Sequence, residues 1–253
     1  MSKTTDILKQ KRWEKGRLQP FYKLVWTSYN VFRFVAVPAY RSRVVNTFRF
    51  KENYHQFSNF TQINRYPSLF AFAQSYFKEH PNPKILSFGC STGEEIATLA
   101  EYIPQATFVG VDINTWCIKQ ANKKYGSPNR FFYHSLAKGF EEAQDFDAVF
   151  CMAVFQHPEN RHDKERTVSA YPFEHFEKQL IALDKKIKAG GLLFIDHCDF
   201  NFLETSLITS YQIVPFKKNQ ERRERPIFNR KNQKIADAHY SFRVFQKKGE
   251  RRS

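Results

Sequence analysis

Cysteine is scarce in this chain of 253 residues. The four cysteines form no C-x-x-C pair, which argues against a zinc site and against a disulfide framework. Three of them lie in apolar stretches that we predict to be strands or strand ends, as expected of buried thiols in a reducing compartment. They are Cys90, Cys117, Cys151 and Cys198.

Long hydrophobic runs are also missing. The most apolar stretch, residues 21–37, is interrupted by Lys23 and Arg33, so it falls short of the roughly 20 apolar residues that cross a membrane. Residues 1–16 are polar and charged, without the apolar core of a secretory signal. We expect a cytoplasmic protein, with peripheral membrane association as an open alternative.

Positive charge is concentrated at the two ends of the sequence. Residues 1–60 carry 12 basic and 3 acidic residues, residues 217–253 carry 13 and 4, and residues 61–216 carry 15 and 18. Basic ends suit nucleic acid, an anionic membrane or an acidic substrate, and they equally suit a solvated surface. The sequence does not indicate the oligomeric state.

Strand and helix patterns alternate after residue 84, which predicts an α/β fold with a doubly wound, Rossmann-like and mostly parallel sheet. Predicted strands are residues 84–88, 107–113, 130–134, 146–152, 192–196, 211–216 and 240–246. Predicted helices are residues 94–102, 115–125 and 173–188, the last stopped by Gly190-Gly191, and a basic, polar excursion joins the last two strands. We expect two domains: a basic, aromatic and partly helical extension or lid over residues 1–66, and the α/β domain over residues 67–253.

A glycine turn, Gly89-x-x-x-Gly93, follows the first predicted strand. A dinucleotide fingerprint would need glycine where Ser91 and Glu94 stand, and no Gly-Lys-Ser/Thr follows for a P-loop. Acidic residues at the start of the next helix would repel a pyrophosphate. S-adenosylmethionine, which has no phosphate, avoids this conflict. Asp112 ends the second strand, where it can accept hydrogen bonds from a ribose or simply cap a helix.

Five motifs in order resemble the class I S-adenosylmethionine-dependent methyltransferases over residues 84–246. They read ILSFGCSTGEE, FVGVDIN, FFYHSL, FDAVFCMAVFQHP and IKAGGLLFIDH. The resemblance implies a seven-stranded sheet whose last strand is antiparallel. GCSTGEE and FDAVFC are similar to the chemotaxis-receptor glutamate methyltransferases. The chain departs from the family at Ser87, where an acidic residue is usual, and at Ser91, where the middle glycine is usual.

The resemblance also implies a set of cofactor-binding residues. Gly89, Cys90, Ser91 and Gly93 would wrap the methionine half, and Asp112 would hold the ribose. Ile113 would lie beside the adenine, and Ser135, or its neighbours His134 and Leu136, at the adenine edge. Met152, with Ala153, would line the pocket near the transferred methyl, with plain core packing as the alternative for Met152. We further hypothesise that Arg65 meets the cofactor carboxylate. The product would be S-adenosylhomocysteine.

The chemistry of methyl transfer asks for an aligned nucleophile and, in some reactions, a base. His157, after the fourth strand, is the predicted catalytic base, and Asp196, His197 and Asp199 are weaker candidates. Tyr54, His55 and His197 are predicted to face the substrate. No metal is expected, because nothing fixes a ligand geometry among the acidic and histidine residues that could form a site. These are His157, His162, Asp163, Asp196 and His197.

The predicted activity is methyl transfer to an oxygen or nitrogen of a small-molecule acceptor. Two alternatives stay open for the acceptor, namely a protein glutamate carboxyl group and a nucleic acid. A further alternative is a non-catalytic or NAD-binding protein of similar fold.

Overall fold

A computed structural model describes residues 7, 10–14, 16–50, 56, 58–161, 165–215, 225–236 and 242–249. The chain divides into two compact units, Met1–Phe50 and Lys51–Ser253. The sequence-based boundary at residue 66 falls inside the second unit and stays a prediction. Each unit is described by itself below.

Helices α1 (Gln19–Ala36) and α2 (Pro38–Arg49) lie in the described part of the first unit. Between them Val37 is extended, with φ −114° and ψ 99°. Proline disfavours helical geometry in the residue before it, so Pro38 ends α1 and begins α2. The predicted helical character of the extension is confirmed, and the basic run that follows is helical as well.

The second unit is built on a seven-stranded sheet, which confirms the predicted fold class. The strands are β1 (Lys84–Phe88), β2 (Thr107–Asp112), β3 (Arg130–His134), β4 (Phe146–Met152), β5 (Ile187–Asp196), β6 (Tyr211–Ile213) and β7 (Val244–Lys247). Their order is β3-β2-β1-β4-β5-β7-β6. The first five strands pair in parallel, and β7 pairs antiparallel to both β5 and β6.

Helices cover both faces of this sheet. They are α3 (Pro67–Tyr76), α4 (Glu94–Tyr102), α5 (Thr115–Tyr125), α6 (Lys138–Glu141) and α7 (Phe173–Asp184). Successive strand residues point to opposite faces, so β1 sends Leu86 into one core, with residues of α7, and Ile85 into the other, with residues of α3 and α4. The chain order reverses between β1 and β4, where parallel sheets of this kind open a crevice at the carboxyl ends of the strands.

Helix α7 ends at Asp184, four residues earlier than predicted, and Gly190-Gly191 lie inside β5 and do not stop the helix. The physical reason is Lys186, whose Nζ donates to the carbonyls of Phe140, Glu141 and Ala143 at 2.9–3.0 Å. These bonds hold the chain against the end of α6, and β5 then begins with an irregular register opposite Phe146.

The predicted polar excursion before β7 is wrong for part of its length. Ile227 and Phe228 are buried, with 3% and 0% exposure, and Phe228 forms a parallel bridge with Phe200. The two apolar residues were too few to produce a periodic pattern, yet Phe228 belongs to the core that contains Phe173 and packs against Phe200. Strands β6 and β7 cover residues 211–213 and 244–247, where residues 211–216 and 240–246 were predicted. Residues 216, 240 and 241 of these predictions lie outside the described residues.

Candidate functional site

A cavity of about 520 Å³ lies where the glycine turn, β2 and β4 end. Residues 56, 58–62, 65 and 66 form one of its walls. Ten predicted site residues line it: Arg65, Gly89, Cys90, Ser91, Asp112, Ile113, Ser135, Leu136, Met152 and Ala153. Gly93, His157 and His197 are not on its wall, and Tyr54 and His55 lie outside the described residues.

The turn after β1 is held by its own backbone. The N–H groups of Gly89 and Cys90 both donate to Val111 O, at 2.8 and 2.9 Å. Gly89 has φ +83°, and a Cβ there would come within 2.7 Å of Val154 Cγ2. Glycine is therefore required at position 89 by both backbone and space. Gly93, with φ +94°, instead packs against Tyr125 and begins α4.

The carboxylate of Asp112 joins this turn to the end of β2. Its Oδ2 accepts from the N–H of Ser91 at 2.9 Å, and its Oδ1 accepts from the N–H of Asn114 at 2.7 Å. Burial raises the pKa of Asp112 to about 6, against these two hydrogen bonds. Asn114, not Asp112, caps α5, because its side chain accepts from Trp116 N and Cys117 N. Asp112 is thus free to present its remaining acceptor capacity to the cavity.

The two acidic residues of the turn have different surroundings. Glu94 accepts from Thr92 Oγ1 at 2.6 Å and from Lys124 Nζ at 3.0 Å. Burial raises the pKa of Glu94, but these hydrogen bonds outweigh it and lower the pKa overall. Glu94 is not on the cavity wall. Its charge is balanced by Lys124 on α5.

Glu95 lines the cavity and was not identified as a site residue from the sequence. Its Oε1 accepts from Ser87 Oγ at 2.7 Å, and burial raises its pKa to about 7. Ser87 stands where the resemblance to class I methyltransferases implies an acidic residue, and it donates to the Glu95 carboxylate of α4. The sequence signal for Glu95 was a serine on the strand together with an acid in the first helical turn.

Residues 56 and 58–66 are held by hydrogen bonds to the loops that follow β1 and β4. Ser91 Oγ donates to Asn59 O at 2.9 Å, and Gln56 Nε2 donates to Ala153 O at 3.0 Å. Arg65 lies over the rings of Phe60 and Tyr66, at 5.4 and 5.2 Å from their centroids, and donates to Phe60 O. The positive charge of Arg65 opposes the rise in the pKa of Glu95 that burial causes. The two side chains therefore interact electrostatically within the cavity.

A buried polar network lies under the end of the cavity beyond β4. Asp199 accepts from the N–H of His157 at 2.6 Å and from Asn160 Nδ2 at 2.9 Å. Arg225 donates to Asp199 Oδ1 at 3.3 Å and to Gln156 Oε1 at 2.8 Å. Burial raises the pKa of Asp199, while the charge of Arg225 opposes that rise.

This end of the cavity is basic. Gln156 and Arg161 line it, and Arg225 is held behind Gln156. Burial lowers the pKa of Arg161, and the positive charge of Arg225 adds to this effect. The negative charge of Asp199, which also pairs with Arg225, opposes the lowering.

The predicted catalytic histidine is buried, with 4% exposure. The Nδ1 atom of His157 accepts from the N–H of Glu159 at 3.2 Å, which places the proton of a neutral ring on Nε2. The base role of His157 stays a prediction. His197 has φ +50°, and its Nδ1 lies 3.4 Å from Asp196 Oδ1. Of the five residues considered for a metal site, His162 and Asp163 lie outside the described residues.

Tyr66 is a cavity residue that the sequence did not single out. Its hydroxyl is buried and has no hydrogen-bond partner among the described residues. Burial raises its pKa well above the ordinary value, so the hydroxyl stays protonated and able to donate. A buried, unsatisfied hydroxyl at a cavity wall is a position where a ligand atom is favoured.

Part of the chain matches a known protein family. The family described as methyltransferase domain matches residues 85–171. A tRNA (guanine-N(7)-)-methyltransferase of Chloroflexus aggregans is 29% identical over 185 residues, which covers 70% of this chain and 75% of that protein. A trans-aconitate 2-methyltransferase of Deinococcus radiodurans is 30% identical over 83 residues, covering 33% and 31%.

Some relatives are much longer than the matched region. A Synechococcus protein is 28% identical over 136 residues, which covers 51% of this chain and 29% of that protein. The chain therefore spans less than a third of two of these relatives and three quarters of the third. The family match, residues 85–171, runs from β1 to beyond the end of β4.

Replacing Gly89 by alanine should destabilise the protein more than replacing Gly190. Both glycines have positive φ, +83° and +80°, but only the Cβ at Gly89 would meet other atoms. We expect a loss of about 1–2 kcal/mol in Gly190→Ala from backbone strain alone, and at least about 1 kcal/mol more in Gly89→Ala. Urea unfolding followed by circular dichroism measures both. Equal losses would contradict the crowded geometry of the turn.

The free energy of unfolding of the ligand-free protein should increase as the pH falls from 8 to 5. Glu95 and Asp112 have pKa values raised to about 7 and about 6, so the folded state binds their protons more tightly than the unfolded state. Their stabilising contribution is complete below the unfolded pKa values and is lost as the pH rises through the folded ones.

Urea unfolding across this pH range checks the sign, with Glu95→Gln as the test variant and Glu101→Gln, an exposed residue of α4, as the control. The pH dependence should flatten between pH 6 and 8 in Glu95→Gln alone. A curve in Glu95→Gln that follows the control at every pH would show that Glu95 is not the buried acid described.

Proposed function

We propose that this chain, which carries a class I S-adenosylmethionine-dependent methyltransferase domain, transfers a methyl group to an oxygen or nitrogen of a small-molecule acceptor. The observation that carries the proposal is one cavity wall shared by Arg65, Glu95 and Asp112 beside the glycine turn. Those three charged groups are placed for a ligand that is charged at one end, has hydroxyls at the other and contains no phosphate.

The residues present fit this cofactor. S-adenosylmethionine offers a carboxylate and an ammonium at its methionine end, for which Arg65 and Glu95 are the complementary partners. Its ribose hydroxyls can donate to Asp112, whose oxygens keep acceptor capacity beyond the two backbone bonds. A pyrophosphate would meet the Glu95 carboxylate at the start of α4, which disfavours the nucleotide cofactors that carry one.

The roles of the remaining cavity residues follow from their position. Gly89, Cys90 and Ser91 would lie along the methionine half, and Ile113 and Ser135 along the adenosine half. Met152 ends β4, and Ala153, which follows it, accepts from Gln156 Nε2 at 2.7 Å. We infer that the methyl group is transferred near Met152.

When bound, S-adenosylmethionine supplies an electrophilic methyl group on a sulfonium. The chain's own contribution is alignment of the acceptor and exclusion of water. Residues 56–66 cover the cavity, and Tyr66 offers a protonated hydroxyl that can hold an acceptor oxygen or nitrogen in place. Where the acceptor must lose a proton, His157 is the proposed base, with Asp199 fixing its backbone.

Two features favour a small acceptor. The cavity of about 520 Å³ is within the range of sites for single small ligands. Part of that volume belongs to the cofactor, which leaves room for a compact acceptor. The basic end of the cavity, where Arg161 lies on the wall, further favours an acceptor that carries a carboxylate or another anionic group.

A nucleic-acid acceptor is the second candidate, since residues 1–60 and 217–253 are strongly basic. The relative from Chloroflexus aggregans is named for methylation of tRNA, and it covers 70% of this chain. The candidate differs from the first in where the acceptor binds, because a folded RNA would have to approach from outside the covered cavity.

Isotopically labelled methyl transfer distinguishes these acceptors. The protein is incubated with methyl-labelled S-adenosylmethionine and, separately, the dialysable fraction of a cell extract, bulk tRNA and bulk protein. We expect label in the dialysable fraction. Among the labelled small molecules, acids should exceed their neutral amides by about tenfold or more, because a charged hydrogen bond to arginine is lost in the amide.

Arg161→Gln should reduce the preference for acids. Arg166→Gln is the matched control, because Arg166 donates to Lys231 O and is not on the cavity wall. Label confined to tRNA or protein would contradict the small-molecule acceptor. Equal preference for acids in both variants would contradict the role of the basic end, and no transfer to any fraction would contradict the activity.

A further inference from the structure

The first unit exposes a continuous apolar stripe along α1. Its members are Phe21, Leu24, Val31, Phe32 and Val35, which are 58–68% exposed. Their spacing places them on one side of the helix, with Ser28 in the gap between the two halves. Single exposed apolar residues are ordinary, but a contiguous row of this kind marks an interaction surface.

The opposite side of α1 is already occupied by α2. Asn30 Oδ1 accepts from Tyr40 OH at 2.8 Å, and Arg33 lies over the Tyr40 ring at 4.1 Å from its centroid. Trp26 is covered by Arg12, 4.6 Å from the ring centroid. The polar and aromatic residues of α1 thus hold the two helices together. The apolar stripe faces away from that contact except at Val31, which borders a groove with Tyr40 and Val44 of α2.

Helix α2 also exposes apolar side chains, together with basic ones. Its exposed face carries Val45 and Phe48, which are 43% and 82% exposed, with exposed Arg41 and Arg49 on either side along the helix. Residues 16–50 as a whole contain six arginine or lysine residues and no aspartate or glutamate. The surface is therefore apolar and positively charged at once.

The charge selects the occupant of this surface. A second copy of the chain would bring together two basic segments that contain no aspartate or glutamate, and like-charge repulsion opposes this. Nucleic acid would satisfy the arginines but gain nothing from exposed leucine, valine and phenylalanine side chains. An anionic lipid surface satisfies both, since apolar side chains enter the acyl boundary while arginine and lysine contact the headgroups.

We propose that residues 16–50 bind the surface of an anionic lipid membrane through the apolar stripe of α1 and the arginines of α2. The helices lie on the surface, because no helix among the described residues is long and apolar enough to span a bilayer. The inference is independent of the methyl transfer proposed for the second unit. It would bring that unit to a membrane whatever its acceptor.

Sedimentation with vesicles tests this proposal on the full chain. Vesicles of phosphatidylcholine alone are compared with vesicles containing about 30% phosphatidylserine, at about 150 mM salt. The wild-type protein should sediment with the anionic vesicles and stay in solution with the neutral ones. The double variant Leu24→Gln/Phe32→Gln should lose binding by about tenfold or more, because it removes the centre of the stripe.

Two further variants make the result specific. Thr27→Gln changes an exposed residue of α1 off the stripe and should bind as the wild type does. Arg41→Gln/Arg49→Gln should weaken binding by about tenfold or more and reduce its salt dependence. Circular dichroism verifies that each variant keeps its helical content, so that loss of folding is not mistaken for loss of binding.

Four outcomes would overturn the proposal. They are no binding to anionic vesicles, equal binding by Leu24→Gln/Phe32→Gln and the wild type, wild-type dimers in light scattering that this variant abolishes, and duplex DNA binding that only the arginine variant loses. The third outcome would assign the stripe to a second copy, and the fourth would assign the arginines to nucleic acid.

Discussion

The carboxylate of Asp112 is the interaction on which the candidate site depends. It accepts one hydrogen bond from the glycine turn after β1, through Ser91, and one from the start of α5, through Asn114. The carbonyl of the same residue accepts from Ser135 N after β3 at 3.0 Å. One residue therefore fixes the relative positions of three loops, and it does so with a buried charge that still faces the cavity.

The free-energy cost of burying carboxylates near the cavity explains why most of them have a hydrogen-bond donor or a positive charge beside them. Burying a carboxylate is unfavourable unless hydrogen bonds or opposite charges compensate. Asp112 has two backbone donors, Glu94 has Lys124, and Asp199 has Arg225. In the part of the chain that the structure describes, Glu95 accepts from the Ser87 hydroxyl and is influenced by the positive charge of Arg65. A cationic ligand group next to Glu95 would complete this pattern, as an ammonium does.

Much of the sheet was predictable from the sequence, because strands such as Lys84–Phe88 are short apolar runs bounded by turn residues. The glycine turn and Asp112 were predictable for the same reason, since each directly follows a strand. Which of Glu94 and Glu95 faces the cavity was not, because neighbouring helix residues point about 100° apart and the answer depends on the exact start of α4. Local patterns also miss contacts made across long separations, such as Lys186 with α6 and Phe228 with Phe200.

The apolar stripe of α1 is a second case in which the sequence pattern alone does not identify the surroundings of a helix. Its spacing predicts a helix, but a core-facing helix and a membrane-facing one have the same pattern, so only the surroundings of Phe21 and Phe32 separate them.

The central claim is tested most directly by calorimetric titration of S-adenosylhomocysteine into the wild-type protein and Asp112→Asn, with NAD as the competing ligand. The account predicts binding of S-adenosylhomocysteine by the wild type, a loss of about tenfold or more in Asp112→Asn, and no binding of NAD. Binding of NAD without S-adenosylhomocysteine would contradict it.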